Sequence, residues 1–147
     1  MHGLRNTGDT DLDWWVIETL SPGTAAVLSG TDLSHPGVPP MGEVILHDLF
    51  KERTVSTHGV FTGPLRQVEV VEIDAGRRTR LGSPDAELAV FVHAGEGRAT
   101  ADGATADLSP DTCVTLGAGT STGVEAITPL RLLVVTLALP GRLAEAS

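Results

Sequence analysis

Apolar and β-branched residues along the chain gather in short runs rather than at helical spacing. The runs are Trp14 to Leu20, Thr24 to Leu28, Gly42 to Leu46, Leu65 to Ile73, Leu88 to His93, Arg98 to Ala101, Cys113 to Leu116, Val124 to Ile127 and Arg131 to Leu139. Between them stand turn signals: Ser21-Pro22-Gly23, Asp74-Ala75-Gly76, Gly95-Glu96-Gly97, Asp102-Gly103, Ser109-Pro110-Asp111 and Gly117-Ala118-Gly119. Short runs separated by Gly, Pro and Asp turns predict strands, and many of them at this spacing predict a sandwich or small barrel. The one helix-like stretch, near His47 to Arg53, has no convincing cap and carries little weight. Residues 30–42, with Pro36, Pro39 and Pro40, read as a stiff linker and the only boundary in the chain.

Composition sharpens this picture. The chain has 147 residues, enough for one core, with 17 Gly and 9 Pro spread along it, which disfavours long helices. Ten Lys+Arg against 19 Asp+Glu leave a formal charge of −9, and a surface of that sign repels phosphate backbones and anionic lipid alike. Nucleic acid and membrane are therefore not expected partners. No apolar stretch approaches the roughly 20 residues of a spanning helix. The first residues carry no signal-peptide core, and the single Cys113 makes no intrachain disulfide, so a reduced, cytoplasmic protein is expected.

Two stretches carry a resemblance. The first runs from Ala75-Gly76 through Gly82-Ser83-Pro84 and Glu87 to Gly95-Glu96-Gly97, and the second from Leu108-Ser109-Pro110 through Gly117-Ala118-Gly119 to Thr122 and Ala126. In turn chemistry and spacing they resemble the two motifs of the cupin family, over most of the chain after the linker. The resemblance implies an all-β fold, an antiparallel cupin barrel of the jelly-roll or double-stranded β-helix type. In that family the first motif supplies His-x-His and a Glu, and the second a His, as metal ligands. Carried onto this chain, the motif-one histidines fall on Gly82 and Pro84, the motif-two histidine on Thr122, and only a carboxylate is retained, as Glu87. One carboxylate and a hydroxyl do not hold a transition metal tightly, so no metal and no cofactor are expected at the usual place.

The start of the chain is similar to the end of a cupin unit. His2 and Asn6 reproduce a motif-two His-x3-Asn, Leu12 to Ile17 resembles a closing strand, and residues 2–17 align with residues 122–135 across a two-residue gap. Either a first barrel is truncated or lies upstream of Met1, or a single barrel adds this strand to its own or a partner's sheet; the second is preferred, and with it a homodimer. The organisation expected is an N-terminal strand segment over 1–29, the linker over 30–42, the barrel over 43–140 and a tail over 141–147.

Gly119-Thr120-Ser121-Thr122-Gly123 has the G-x-S-x-G form of a nucleophile elbow, but a strand-like run follows where a helix is required. Glu87, Ala89, Phe91 and His93 share strand parity, so if Glu87 points into the barrel, His93 does too, about 20 Å away along the strand. These two are the candidate catalytic residues. An inward carboxylate needs an Arg, a hydrogen bond or a proton, which brings in Arg66, Arg80 and Arg131 as partners for it or for an anionic ligand, with Phe91 and Thr122 as further ligand contacts. A metal held by His2, His47 and His58 is the remaining option. The leading reading is a small-molecule-binding or auxiliary barrel that has lost its metal and takes a small organic ligand. The alternatives are a metal-independent isomerase, epimerase or cyclase using Glu87, and a metal-dependent oxygenase or isomerase with unusual histidines.

Overall fold

The computed structural model describes residues 9–10, 47–57 and 63–139. Within them a short helix α1 (Leu49–Glu52) precedes nine strands: β1 (Thr54–Ser56), β2 (Leu65–Ile73), β3 (Arg78–Gly82), β4 (Ala86–Ala94), β5 (Gly97–Ala101), β6 (Ala104–Leu108), β7 (Cys113–Leu116), β8 (Ser121–Ala126) and β9 (Leu130–Ala138). They form two antiparallel sheets, one of five strands in the order β1-β2-β9-β4-β7 and one of four in the order β3-β8-β5-β6. Successive strands mostly change sheet, so this is a jelly roll, the all-β architecture expected from the turn spacing.

Six of the expected runs return as β2, β4, β5, β7, β8 and β9, β2 and β7 with unchanged bounds. The strands β1, β3 and β6 were not expected. β3, Arg78-Thr79-Arg80-Leu81-Gly82, is too polar to stand out, and exists because its backbone pairs with β8 from Arg78↔Glu125 to Gly82↔Ser121. β6 is set by its turn. Asp102 (φ 49) and Gly103 (φ 80) both lie in the left-handed region, as a two-residue hairpin of the I′ kind requires, and pair β5 with β6 from Gly97↔Leu108 to Ala101↔Ala104.

The helix α1 corrects the expectation about its stretch, because it is capped. The Asp48 side chain accepts a hydrogen bond from the Lys51 amide at 3.2 Å, and the Glu52 carboxylate accepts from the Asp48 amide at 3.0 Å. The strand-like runs over residues 14–20, 24–28 and 42–46, the segment 1–29 and the linker 30–42 lie outside the described residues, apart from residues 9–10 within the segment.

The core lies between the sheets. Leu88, Val90 and Val92 of β4 meet Leu132 and Val134 of β9 and Val124 and Ala126 of β8, all among the most buried residues. Ile73, Leu108 and Leu130 join them. At the roughly 25 cal/mol per Å² of apolar burial, this interdigitated layer is the chief source of stability. The five-stranded sheet is also partly buried on its outer side, where Val70 and Val135 are 5% and 1% exposed. No helix among the described residues is long and apolar enough to cross a membrane.

Candidate functional site

Strand parity decides which side chains can serve an interior site. On β4 exposure alternates: Leu88, Val90 and Val92 are buried, while Glu87 and His93 are exposed and Ala89 and Phe91 half-buried. Cross-strand partners agree, since Leu88 pairs with Leu116 and Val90 with Val134, both core residues. Glu87 and His93 do share a face, as the parity argument requires, but it is the outer one. The inward position at this end of β4 is its neighbour Leu88. The expectation of an inward acid/base pair is therefore corrected: burying Leu88 is favourable, whereas an unpartnered inward Glu87 would cost several kcal/mol, about 2–7 for an unpaired polar group and more for a charge.

The outer end of β4 has its own contacts. His93 lies against the ring of Phe50 of α1, centroids 5.0 Å apart, and the Arg131 guanidinium sits 5.0 Å from the same ring. Arg131 also donates to Glu72 at 2.8 Å, and Glu72 takes a second guanidinium from Arg53 at 2.8 Å. The hydrogen bond from Arg53, then that from Arg131, holds the Glu72 carboxyl below its ordinary range. Arg131 is thus bound on the outer surface.

The other two arginines are likewise outside the core. Arg80 faces out from β3, where Nε and Nη2 donate to Ser121 Oγ at 2.9 and 2.6 Å. Arg66 folds back on its own loop, donating to the carbonyls of Gly63 at 2.9 Å and Leu65 at 3.4 Å. Neither pairs with Glu87; the structure brings His93 and Arg131 to the one Phe50 ring but does not gather the expected site residues as a group. His47 pairs with Glu52 at 3.0 Å, while His2 and His58 lie outside the described residues. Among the described residues no three His, Cys, Asp or Glu side chains gather in a way that could hold a metal ion.

Of the expected site residues, Thr122 is the one inside. It alternates with Val124 and Ala126 on the inner face of β8, is 3% exposed, and its hydroxyl donates to the Thr100 carbonyl at 3.1 Å. With that proton committed, the oxygen retains lone pairs that accept from another donor.

Thr122 borders a cavity of about 240 Å³ at the seam where β6 ends one sheet and β7 ends the other. One wall is Ala99, Ala101, Ala104 and Ala106 of the β5–β6 hairpin, and the other holds Val114 and Leu116. Four methyl groups where larger residues would close the seam leave the slot open. The sequence held this signal in Ala99-Thr100-Ala101-Asp102-Gly103-Ala104-Thr105-Ala106, where alanine recurs at alternate positions on both arms of a two-residue turn. Thr105 and Thr115 complete the lining, so the site so built is a slot with mostly apolar walls, in which Thr122 supplies the buried hydroxyl acceptor.

No protein-family model and no curated protein matches the chain. Solved structures do. A predicted oxalate decarboxylase from Thermotoga maritima superposes with a TM-score of 0.51 at 17% identity, over 58% of this chain and 76% of that one. The cupin domain of Schizosaccharomyces pombe Cnp3 gives a TM-score of 0.48 at 17% identity, over 54% of this chain and 56% of that one. KdgF from Halomonas gives 0.47 at 20% identity, over 55% and 74%. The superposition on the Thermotoga maritima structure, together with the two antiparallel sheets, shows an all-β jelly roll of the cupin type.

Proposed function

We propose that this cupin-fold chain is a metal-independent binding module for a small, largely apolar organic molecule bearing one hydrogen-bond donor. The observation that carries the reading is the alanine-walled slot of about 240 Å³ with the Thr122 hydroxyl at its border. Mostly apolar walls with a few placed polar groups are the composition of small-molecule sites, where burial supplies affinity and the polar groups set orientation.

The family's metal does not fit the donors at hand. Of the positions onto which the resemblance carries the metal ligands, Gly82 and Pro84 have no donor side chain, Glu87 is on the outer face and Thr122 offers a hydroxyl, and no chemical step is routed through a metal. The carboxylate expected to act as acid or base, Glu87, is on the outer face, so the isomerase, epimerase or cyclase reading loses its geometric basis. Cytoplasmic location and homodimer formation belong to this reading as well; the edges of β6 and β7, each last in its sheet among the described residues, offer backbone groups for association.

Indole is a suitable probe, compact and apolar with one N–H donor. Titrated into ¹⁵N-labelled protein, it is expected to shift the amides of Ala99, Ala106, Leu116 and Thr122 saturably, and Ala106→Phe, which fills the slot, is expected to abolish the shifts. Absence of saturable shifts at these residues would overturn the slot as the site. Near-stoichiometric transition metal that resists chelation, measured by inductively coupled plasma mass spectrometry, would overturn metal independence.

A further inference from the structure

The glycines within strands sort by what requires them. At Gly97 an added Cβ would lie 2.6 Å from the Glu125 carbonyl oxygen, and at Gly82 it would collide with the Thr120 carbonyl, so backbone approach demands glycine at both. Gly123, in the middle of β8, has neither reason. Its backbone is outside the left-handed region, and an added Cβ would meet nothing nearer than the Thr100 carbonyl oxygen at 3.8 Å. Glycine inside a strand weakens it, and where the fold does not demand one, it marks a place another molecule approaches closely.

The surroundings of Gly123 say what that molecule is. Gly123 faces outward on the four-stranded sheet, with Arg80 directly opposite on β3 and Thr100 directly opposite on β5. This row is the floor of a groove that also takes in Ser121, Arg78 and, at the hairpin turn, Asp102. In the neighbouring row Arg78 pairs with Glu125, and Arg98 with Asp107 at 3.3 Å, so those charges are matched. Among the described residues the hydrogen-bond acceptor of Arg80 is the uncharged Ser121 hydroxyl, which holds the guanidinium by Nε and Nη2 and leaves Nη1 to another acceptor.

We propose that this groove binds a small oxyanion, its oxygens on the Arg80 guanidinium and on the hydroxyls of Thr100 and Ser121, in the space above Gly123. A guanidinium oriented by a hydroxyl is a ready donor for phosphate or carboxylate oxygen, and charge-assisted bonds of this kind are the strong ones. The site is on the outer face of the sheet opposite to the one that carries Glu87, and it opens on the other face of β5 from the alanine slot.

The test is a ¹⁵N-detected titration with sodium phosphate and, separately, sodium acetate, at constant ionic strength against sodium chloride, on the wild-type chain, Gly123→Val and Arg80→Gln. Saturable shifts centred on Arg80, Thr100, Ser121 and Gly123 are expected with at least one anion; phosphate alone identifies a tetrahedral ligand and acetate alone a planar one. Gly123→Val is expected to weaken binding about tenfold or more while raising Tm by about 2–4 °C, because a β-branched residue suits a strand whose space is open. Arg80→Gln is expected to weaken binding at unchanged Tm. The proposal is overturned by the absence of saturable shifts with both anions, by wild-type affinity in either variant, or by a lower Tm in Gly123→Val, which would make the glycine structural.

Discussion

The orientation of β4 can be tested by comparing adjacent residues, Glu87→Ala with Leu88→Ala. Leu88 is 8% exposed and joins the core cluster with Val90, Val134 and Leu116. Truncating it removes buried methyl groups and leaves a cavity, a change that costs about 2–5 kcal/mol. Glu87 is exposed and its loss should fall within about 0.5 kcal/mol. Taking about 3 kcal/mol for Leu88→Ala and a urea slope of about 1.5 kcal/mol per molar, the unfolding midpoint should drop by about 2 M, whereas Glu87→Ala should leave it almost in place. Equilibrium urea unfolding followed by circular dichroism reads both. Were Glu87→Ala to cost more than about 2 kcal/mol and Leu88→Ala less than about 1, the strand would be turned the other way and an interior carboxylate would return as a catalytic candidate.

Two further outcomes follow from local geometry. Glu72, held down by hydrogen bonds from Arg53 and Arg131, and Glu125, held down by the one from Arg78, each have a folded-state pKa below the ordinary 4.5. Their contribution to stability is complete above 4.5 and is lost as pH falls below it through the lowered folded values. The urea midpoint should therefore decline below pH 4.5, and Glu72→Gln should make that decline shallower; a midpoint that rises on acidification would contradict the pairing. Gly95 has φ +88 and packs where a Cβ would strike the Pro129 carbonyl, so Gly95→Ala should cost about 2 kcal/mol or more in unfolding free energy. Gly103, at φ +80 with open space around it, should accept Asn within about 1 kcal/mol, and equal losses at the two positions would refute the clash.

How far the sequence shows this fold, and where it stops, comes down to what alternation can carry. Turn chemistry is local: Asp102-Gly103, Gly76 and Gly95 each need a left-handed backbone, and these residues announce it without tertiary context, so strand boundaries from Leu65 onward were largely legible. Polar β3 was not, because its reason for existing is a partner, β8, that lies 39 residues on, from Gly82 to Ser121. The direction of β4 was hidden for a different reason. Both of its faces are substantially apolar, Leu88, Val90 and Val92 on one and Ala89 and Phe91 on the other, since the outer side of the five-stranded sheet is also partly buried around Val70 and Val135. Period-two alternation fixes which residues share a face, which is why Glu87 and His93 stay together, but it assigns an interior only when one face is clearly polar. The resemblance to a metal-binding motif then drew the interior toward the nearest carboxylate, one residue from the buried position. Four Arg- and Glu-bearing positions on the four-stranded sheet illustrate the converse: Arg78, Arg80, Glu125 and Arg98 alternate with buried Val124 and Ala99 or half-buried Thr79 and Leu81, and once that face is known to be solvent, the unexplained glycine among them stands out as a position shaped for something other than the fold.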